Sequence, residues 1–370
     1  MMIRHSRPSI EEADVAAVTA ALRADPVENG RQVRRFEQEL ARTVGQEHGV
    51  ATCSGTAALH LALLALGVGE DDQVLIPSYV CTAVLNAVKY TRASPILADV
   101  DEETGTLDPE DAWCRASPER SRRAAPRTKA VIAPHLFGRP VDLARLQALG
   151  VPIVEDCAQA LGAKWRGQPV GSFGIVSVFS FYSTKVITTG EGGMACTSSA
   201  ALADRMRALR DYDQHEDYEI RFNYKMSDLQ ASLGLAQLLR LPNMVARRQE
   251  LAQRYHAALG DLGLALPHTR PDCDDIHYRY VVRTDHVDHL IGLFAQRAVE
   301  CKRPVFRPLH HYLKGNRPAL PRTDRFYAQA LSLPLYPALT DAQADRVMEA
   351  ARAVLHAPGQ RSRAMGDSHD

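Results

Sequence analysis

Short apolar segments recur between helical stretches along much of the chain, and this alternation limits the fold more than any other feature. From His48 onward the runs GVATC, QVLIP, PILADV, AVIAPHL, PIVEDC, VSVFSF and GMACT follow one another. Helical patterns over residues 57–66, 82–88 and 143–148 separate several of them. Apolar strands that alternate with helices predict an α/β fold with a mainly parallel sheet covered on both faces. The segment between the last two runs has no room for a covering helix, so that pair is expected to depart from the parallel order.

A helical pattern precedes this region and a smaller unit follows it. The first helix, PSIEEADVAAVTAALRAD, has Ser9 as its N-cap candidate. Beyond Pro267 we expect a strand YRYVVR, a helix from about Val287 to Ala298, a strand near KRPVF, and helices near RFYAQAL and DAQADRVMEAARAVL. We therefore predict three regions: an N-terminal helix plus large cofactor-binding α/β domain at 1–245, a small C-terminal α+β domain at 246–357, and a disordered polar tail at 358–370.

Composition excludes several classes of function. The chain has 370 residues, 45% of them apolar, and its 44 basic residues balance 44 acidic ones. A zero net charge provides no overall field for nucleic acid or an acidic membrane, and we interpret the basic stretch at 115–128 as a solvated loop. The seven scattered cysteines form no C-x-x-C pair, which indicates free thiols rather than disulfides or a metal site. The start of the sequence has no apolar signal segment, so we expect a cytoplasmic protein.

The segment ATCSGTAALHLALLALG predicts a strand that turns directly into a helix through Ser54, Gly55 and Thr56. Small residues at such a turn let backbone N–H groups point at an anion, and the positive helix end suits a phosphate. The two hydroxyls add further donors. The same three residues also make an ordinary helix cap, so the turn alone does not decide.

A second candidate lies where the strand of PIVEDCAQALGAKW ends. Ligands are expected at the carboxyl ends of parallel strands. Asp156 and Gln159 lie three residues apart, so both can face one ligand if a helix begins there. Asp156 is either a simple helix cap or the carboxylate that keeps a ring nitrogen protonated.

The third candidate is Lys185 in SFYSTKVITTGEGGM, which precedes a glycine-rich bend. Taken alone it can be a lysine that extends to solvent from the end of the sheet. Pyridoxal phosphate, however, needs a phosphate turn, a carboxylate for its pyridine nitrogen and a lysine for its aldehyde. The order of these signals along the chain predicts that cofactor, bound as an aldimine to Lys185, with pyridoxamine phosphate as the intermediate. Lys185 and Asp156 are then the catalytic residues, and Lys185 also transfers the proton.

At this point the sequence resembles the DegT-like sugar aminotransferases, which are pyridoxal-phosphate enzymes of fold type I. The resemblance covers nearly the whole chain. It rests on six motifs in the family's order and spacing: LIPSYVCTAVLNAV, ADVDEETGTLDPED, HLFGRPVDL, IVEDCAQALGA, SFYSTKVITTGEGG and FNYKMSDLQASLG.

The resemblance implies further roles for single residues. Ser180 is similar to a phosphate ligand, as are Gly55 and Thr56, and Gln159 to the residue beside the ring hydroxyl of the cofactor. Asn223 corresponds to an asparagine that reaches the phosphate of the neighbouring subunit, which implies a homodimer with shared active sites. His310 lies where relatives carry a histidine near the substrate pocket. Without the resemblance, we would interpret His310 as a surface histidine.

One position departs from the family. Relatives often have an aromatic residue where this chain has Cys81, and that residue stacks on the pyridine ring. Either Cys81 packs against the ring or Tyr79, two residues earlier and on the same face of a strand, supplies the platform.

The resemblance implies an aminotransferase that moves an amino group from glutamate or glutamine to a keto sugar, in nucleotide-linked form, for amino-sugar biosynthesis. A cyclitol or another non-nucleotide ketone is the alternative acceptor. A sugar dehydratase is less favoured because dehydratases of this family carry histidine in place of Lys185. A non-catalytic regulator is disfavoured because the full set of catalytic residues is present. The sequence leaves open the ketone, the carbon position, the stereochemistry and any oligomer larger than a dimer.

Overall fold

Seven strands form the central sheet of the protein, which we describe from a computed structural model covering residues 1–24, 30–116, 128–315 and 317–355. The strands of this sheet are β1 (His48–Thr52), β2 (Gln73–Pro77), β3 (Ser94–Ala98), β4 (Thr128–Pro134), β5 (Ile153–Asp156), β8 (Val176–Ser180) and β9 (Gly193–Thr197). Their order across the sheet is β1-β9-β8-β5-β4-β2-β3. All seven predicted apolar runs form strands. The predicted tail at 358–370, and nearly all of the basic stretch at 115–128, lie outside the described residues.

The sheet is parallel except where the sequence predicted a departure. β5 pairs in parallel with both β4 and β8, whereas β9 pairs antiparallel with β8 and with β1. The other strands therefore end at one edge of the sheet, and β9 runs back between two of them. This geometry brings the turns that follow β1, β2, β5 and β8 to the same edge.

Helices cover both faces of the sheet. The apolar cluster on one face includes side chains of α3, α4 and α7, and the clusters on the other face include side chains of α2, α5, α6 and α8. The helices from the N-terminus to α9 are α1 (Glu12–Leu22), α2 (Arg31–Thr43), α3 (Gly55–Ala65), α4 (Thr82–Tyr90), α5 (Pro109–Ala116), α6 (Leu143–Gln147), α7 (Ala200–Arg210), α8 (Asp228–Leu239) and α9 (Leu241–Leu259). The fold is thus the three-layer α/β arrangement that the sequence predicted.

The first helix begins later than predicted. Its N-cap is Glu11, which forms a reciprocal capping box with Asp14, and the Ser9 hydroxyl has no hydrogen-bond partner. A carboxylate can cap a helix as a serine hydroxyl does, and here Glu11 and Asp14 cap α1 in place of Ser9.

The smaller unit has its own apolar cluster, formed around a two-stranded sheet. Its elements are β11 (Tyr280–Arg283), α10 (Val287–Gln296), α11 (Pro321–Gln329), β12 (Ala330–Leu333) and α12 (Asp341–Leu355), and a separate three-stranded sheet joins β6 (Lys164–Trp165), β7 (Gln168–Pro169) and β10 (Cys273–Asp274). The prediction of a strand near KRPVF is wrong. Only Lys302 pairs there, in an isolated bridge with Ser332, and the second strand is β12.

Residues at both ends of the described chain contribute to this smaller cluster. Ile3 is fully buried in it and forms a parallel bridge with Val299, and α9 crosses from the large-domain clusters into it. The proposed division at residue 245 falls within α9, and it stays a prediction. None of the helices in the described ranges is long and apolar enough to cross a membrane.

Candidate active site

Three predicted site segments meet at the carboxyl edge of the sheet. The turn after β1 approaches the end of β8, and β5 ends beside both. An added Cβ on Gly55 would lie 2.8 Å from the Cβ of Ser180, so only glycine allows this close approach. Gly193 at the start of β9 leaves room for the backbone of Ser54, which a side chain there would overlap. The two glycines hold the predicted phosphate turn against the strand that leads to Lys185.

The phosphate turn opens α3 as the sequence predicted. The Ser54 hydroxyl accepts a hydrogen bond of 3.1 Å from the N–H of Ala57 and so caps the helix. Gly55 and Thr56, both half-buried, occupy the first turn, where backbone N–H groups have no helical partner. A cavity of about 380 Å³ lies beside them; it is lined by Ser54, Thr56, Ala57, Thr82, Ala83, Asn86, Tyr90 and Tyr224. Such a helix end with space in front of it suits a phosphate.

Asp156 ends β5 and is 7% exposed. One carboxylate oxygen accepts from the N–H of Ala158 at 3.0 Å. Burial raises the pKa of Asp156, while the Ala158 N–H and the charge of Lys185 offset part of that rise. A buried carboxylate with so little compensation favours a cationic partner, and a protonated ring nitrogen would be one.

Gln159 lies in the turn after β5. Its side-chain oxygen accepts a 2.8 Å hydrogen bond from the N–H of Phe137, a residue with a left-handed backbone (φ 63°). The side chain is therefore fixed in place by the loop after β4. Gln159 follows Asp156 by three residues, and its place beside a ring hydroxyl stays a prediction.

Lys185 projects from a loop that hydrogen bonds shape from within. The Thr188 hydroxyl donates to the carbonyl of Phe181, and Gly190 N–H donates to that hydroxyl at 2.9 Å. Gln237 of α8 accepts from the Thr188 N–H. The lysine is half-buried, and its charge acts on Asp156 and on the thiol of Cys81. These effects indicate that the three side chains lie near one another at the carboxyl edge of the sheet.

The structure separates the two candidates for the ring platform. Tyr79 is fully buried, packs edge-on against Phe326 with ring centroids 5.1 Å apart, and belongs to a cluster that also contains Phe137. Tyr79 is therefore packed into the core of the protein. Cys81 is exposed at the start of α4, and desolvation raises the pKa of its thiol while Lys185 lowers it. This burial favours Cys81 over Tyr79 as the residue beside the ring, and the assignment stays a prediction.

His310 is buried rather than on the surface. Its Nδ1 lies 2.7 Å from the Ser78 hydroxyl, and its Nε2 lies 3.1 Å from a carboxylate oxygen of Asp324. Burial lowers the pKa of His310, although Asp324 acts in the opposite direction. Ser78 begins the loop that contains Cys81, so the structure connects His310 to the edge of the cleft without placing it against Lys185.

Asn223 lies outside this cluster. It is exposed in the segment before α8, and the next residue, Tyr224, accepts a 2.8 Å hydrogen bond from the N–H of Cys53. An exposed asparagine next to the turn after β1 is compatible with a contact to a second subunit.

Sequence reasoning missed four residues around Lys185. Tyr278 is buried beneath the lysine, with Nζ 5.6 Å from its ring centroid, and Thr184, Arg248 and Arg279 surround it. Tyr278 is almost one hundred residues from Lys185 in sequence and precedes a strand of the smaller unit. Nothing in its local pattern indicates that it returns to the cleft.

The geometry agrees with the comparison to known families. The model of the DegT/DnrJ/EryC1/StrS aminotransferase family matches residues 8–352. The chain belongs to this family. It is therefore an aminotransferase, and aminotransferases of this family depend on pyridoxal phosphate. The fold, the resemblance and the enzyme class predicted from sequence are confirmed.

Similar proteins extend over almost the whole chain. GDP-perosamine synthase of Caulobacter vibrioides is 35% identical and covers 88% of this chain and 91% of its own. The structure of S. venezuelae DesV with a ketimine intermediate is 34% identical, with a TM-score of 0.86 over 92% of this chain and 94% of that one. The sugar aminotransferase Spr1654 of Streptococcus pneumoniae, described as putative and solved in PLP and PMP forms, is 25% identical with TM-scores of 0.88 and 0.89; both forms cover 96% of this chain, with 99% and 98% of their own.

Proposed function

We propose that this chain transfers an amino group from glutamate or glutamine to a nucleotide-linked keto sugar, with pyridoxal phosphate bound covalently through Lys185. The observation that carries the proposal is the meeting of the Gly55 turn, Asp156 and Lys185 at one sheet edge. Each matches a different part of one cofactor. The sugar acceptor is inferred from the names of the GDP-perosamine synthases and from the role of similar proteins in amino-sugar synthesis.

Each residue has a role that follows from its surroundings. The N–H groups at the start of α3, with Ser180 beside Gly55, bind the phosphate. Asp156 provides the negative charge that keeps the ring nitrogen protonated, and the bound cofactor supplies an electron sink for the carbon that loses a proton. Cys81 would lie beside the ring. Lys185 Nζ would accept the proton from the donor carbon and deliver it on the product side.

The donor and acceptor use the same cleft in turn. His310, at the edge of the cleft and fixed by Ser78 and Asp324, borders the acceptor. Asn223 completes the phosphate site of a second subunit, so the active unit is a homodimer. We place the enzyme in the cytoplasm, where nucleotide sugars and glutamate are available.

An absorption experiment tests this proposal. The purified protein, reconstituted with pyridoxal phosphate, should show a visible band that glutamate or glutamine converts to the pyridoxamine form. A screen of nucleotide keto sugars, with a cyclitol ketone included, then identifies the acceptor. Lys185→Ala should lose the visible band and all detectable transamination while keeping its circular dichroism spectrum. Normal turnover by Lys185→Ala would contradict the proposal.

A further inference from the structure

Two arginines lie with Lys185 around the ring of Tyr278. Arg248 of α9 is 3% exposed, its Nη1 donates to the carbonyls of Tyr278 and Leu335, and its Nε has no hydrogen-bond partner. Among the ion pairs within the described ranges, none includes Lys185, Arg248 or Arg279, although the charge of Lys185 acts on the carboxylate of Asp156. Buried charges are normally paired, so the buried Arg248 favours a group nearby that can carry negative charge.

The ring of Tyr278 lies close to all three of these cations. Its ring centroid lies 5.6 Å from Lys185 Nζ, 5.7 Å from Arg248 Cζ and 4.6 Å from Arg279 Cζ, within the range of cation–π attraction. The phenol oxygen accepts from Arg279 Nη2 at 3.2 Å. Thr184, the residue before Lys185, also bonds to the phenol. The tyrosine thus holds the lysine loop by its hydroxyl and supports the ammonium by its ring.

The phenol responds to these charges. Burial alone would raise the pKa of Tyr278, but Arg279, Lys185, the Thr184 hydroxyl and Arg248 together lower it to about 8. The charged groups that face it come from three elements: the lysine loop, α9 and the segment before β11. His5 of the N-terminal segment contacts Arg279 on its far side at 3.3 Å, and burial lowers the pKa of His5 to about 2, so it adds no positive charge at neutral pH.

We infer that Tyr278 is a positioning residue for Lys185: its phenol accepts from Arg279, its ring supports the Lys185 ammonium, and in its ionised form it is a counter-charge beside Asp156 that holds a proton on Lys185 Nζ. This inference rests on the proposed role of Lys185. It adds to the reaction site a residue from the segment before β11, which packs in the same apolar cluster as α2 and α8.

Tyr278→Phe tests the inference because it removes only the hydroxyl. Tyr280→Phe is the matched control: Tyr280 is also fully buried, lies two residues later, and its hydroxyl faces His256 at 3.3 Å, away from Lys185. Ultraviolet absorbance of tyrosinate in the cofactor-free chain should show a step near pH 8 in the wild type and in Tyr280→Phe. That step should be absent from Tyr278→Phe.

The second readout is the pH dependence of the visible cofactor band. The midpoint of this band reports the proton on Lys185 Nζ. In Tyr278→Phe it should move to lower pH by about one unit, because the phenolate is lost while two arginines remain. In Tyr280→Phe it should stay within about 0.2 unit of the wild type.

The outcomes separate this inference from the proposed function. A missing tyrosinate step in the wild type, or a band midpoint that Tyr278→Phe leaves unchanged, would overturn the role of Tyr278. If no variant, the wild type included, shows a visible band, the cofactor assignment fails. In that case the presence or absence of the tyrosinate step would still test whether the cations around Tyr278 lower the pKa of its phenol.

Discussion

Two neighbouring carboxylates at the end of β5 have opposite surroundings. Glu155 is fully buried and accepts from His135 Nε2 at 2.9 Å and from the N–H groups of Gly171, Phe173 and Gly174. Asp156, on the opposite face of the strand, accepts one described hydrogen bond, from Ala158. Despite burial, the hydrogen bonds from His135 and from the N–H groups lower the pKa of Glu155, whereas burial raises that of Asp156.

The difference shows how to tell a structural acid from a functional one. The partners of Glu155 are all part of the folded chain, and His135 has a fixed tautomer because its Nδ1 accepts from Val141 N–H at 3.1 Å. The carboxylate of Asp156 can accept further hydrogen bonds, and it lies near Lys185. A polar group that the protein does not satisfy itself indicates a place for a ligand.

The largest expected effect follows from Asp156→Asn, which keeps the shape of the side chain and removes its charge. Transamination should fall by about a hundredfold to a thousandfold, because the ring nitrogen loses the charge that keeps it protonated. The free energy of unfolding should stay within about 1 kcal/mol of the wild type, since a poorly compensated buried charge is removed. Steady-state kinetics and urea unfolding measure the two quantities. An unchanged turnover would place Asp156 with Glu155 as a structural acid.

Glu155→Gln should produce the reverse pattern. An amide offers one acceptor oxygen where the carboxylate offers two, and its NH₂ group faces backbone donors. The free energy of unfolding should fall by about 3 kcal/mol, measured on the cofactor-free chain because a bound cofactor adds its own stabilisation. At a temperature where this variant is folded, its visible cofactor band should match the wild type. A stable variant with a lost band would reverse the roles of the two acids.

The smallest effect is on the acid limb of stability, where the two carboxylates should act with opposite signs. The pKa of Glu155 in the folded chain lies below its ordinary value of 4.5, so its contribution to stability is lost as pH falls below that value. The pKa of Asp156 is raised, so the folded chain gains from protonation as pH falls. Between pH 6 and 3, unfolding free energies should therefore fall less steeply in Glu155→Gln and more steeply in Asp156→Asn than in the wild type. Parallel curves for the three proteins would contradict the assignment of these shifts.

Local patterns predicted the large sheet and the phosphate turn well. The apolar runs of the seven strands in the central sheet are short and continuous, and helical stretches separate several of them, so propensity and burial agree there. The SGT turn and Lys185 are each flanked by a recognisable local sequence pattern. The structure brings them together because parallel strands end at one edge of the sheet.

Other features depend on contacts that local sequence does not encode. The strand alternation places Tyr79 on the same face as Cys81, but in the structure Tyr79 packs against Phe326 in the core. The strand β12 was not predicted because its partner β11 lies about fifty residues earlier in the sequence. Tyr278 was missed because it lies far from Lys185 in sequence and packs in the apolar cluster of α2 and α8. His310 was ambiguous for the same reason, since its partners Ser78 and Asp324 lie in separate segments.

The bridge between Ile3 and Val299 affects how the chain is made. The His5 N–H donates to a carboxylate oxygen of Glu300, which is 295 positions later in the sequence. During synthesis on the ribosome, Ile3 and His5 are therefore made long before the residues that they contact. The large sheet can form during synthesis, since domains generally fold as units as they emerge. Ile3 and His5 lack their partners until the segment with Val299 and Glu300 has been synthesised, and the core of the smaller unit closes only after that point.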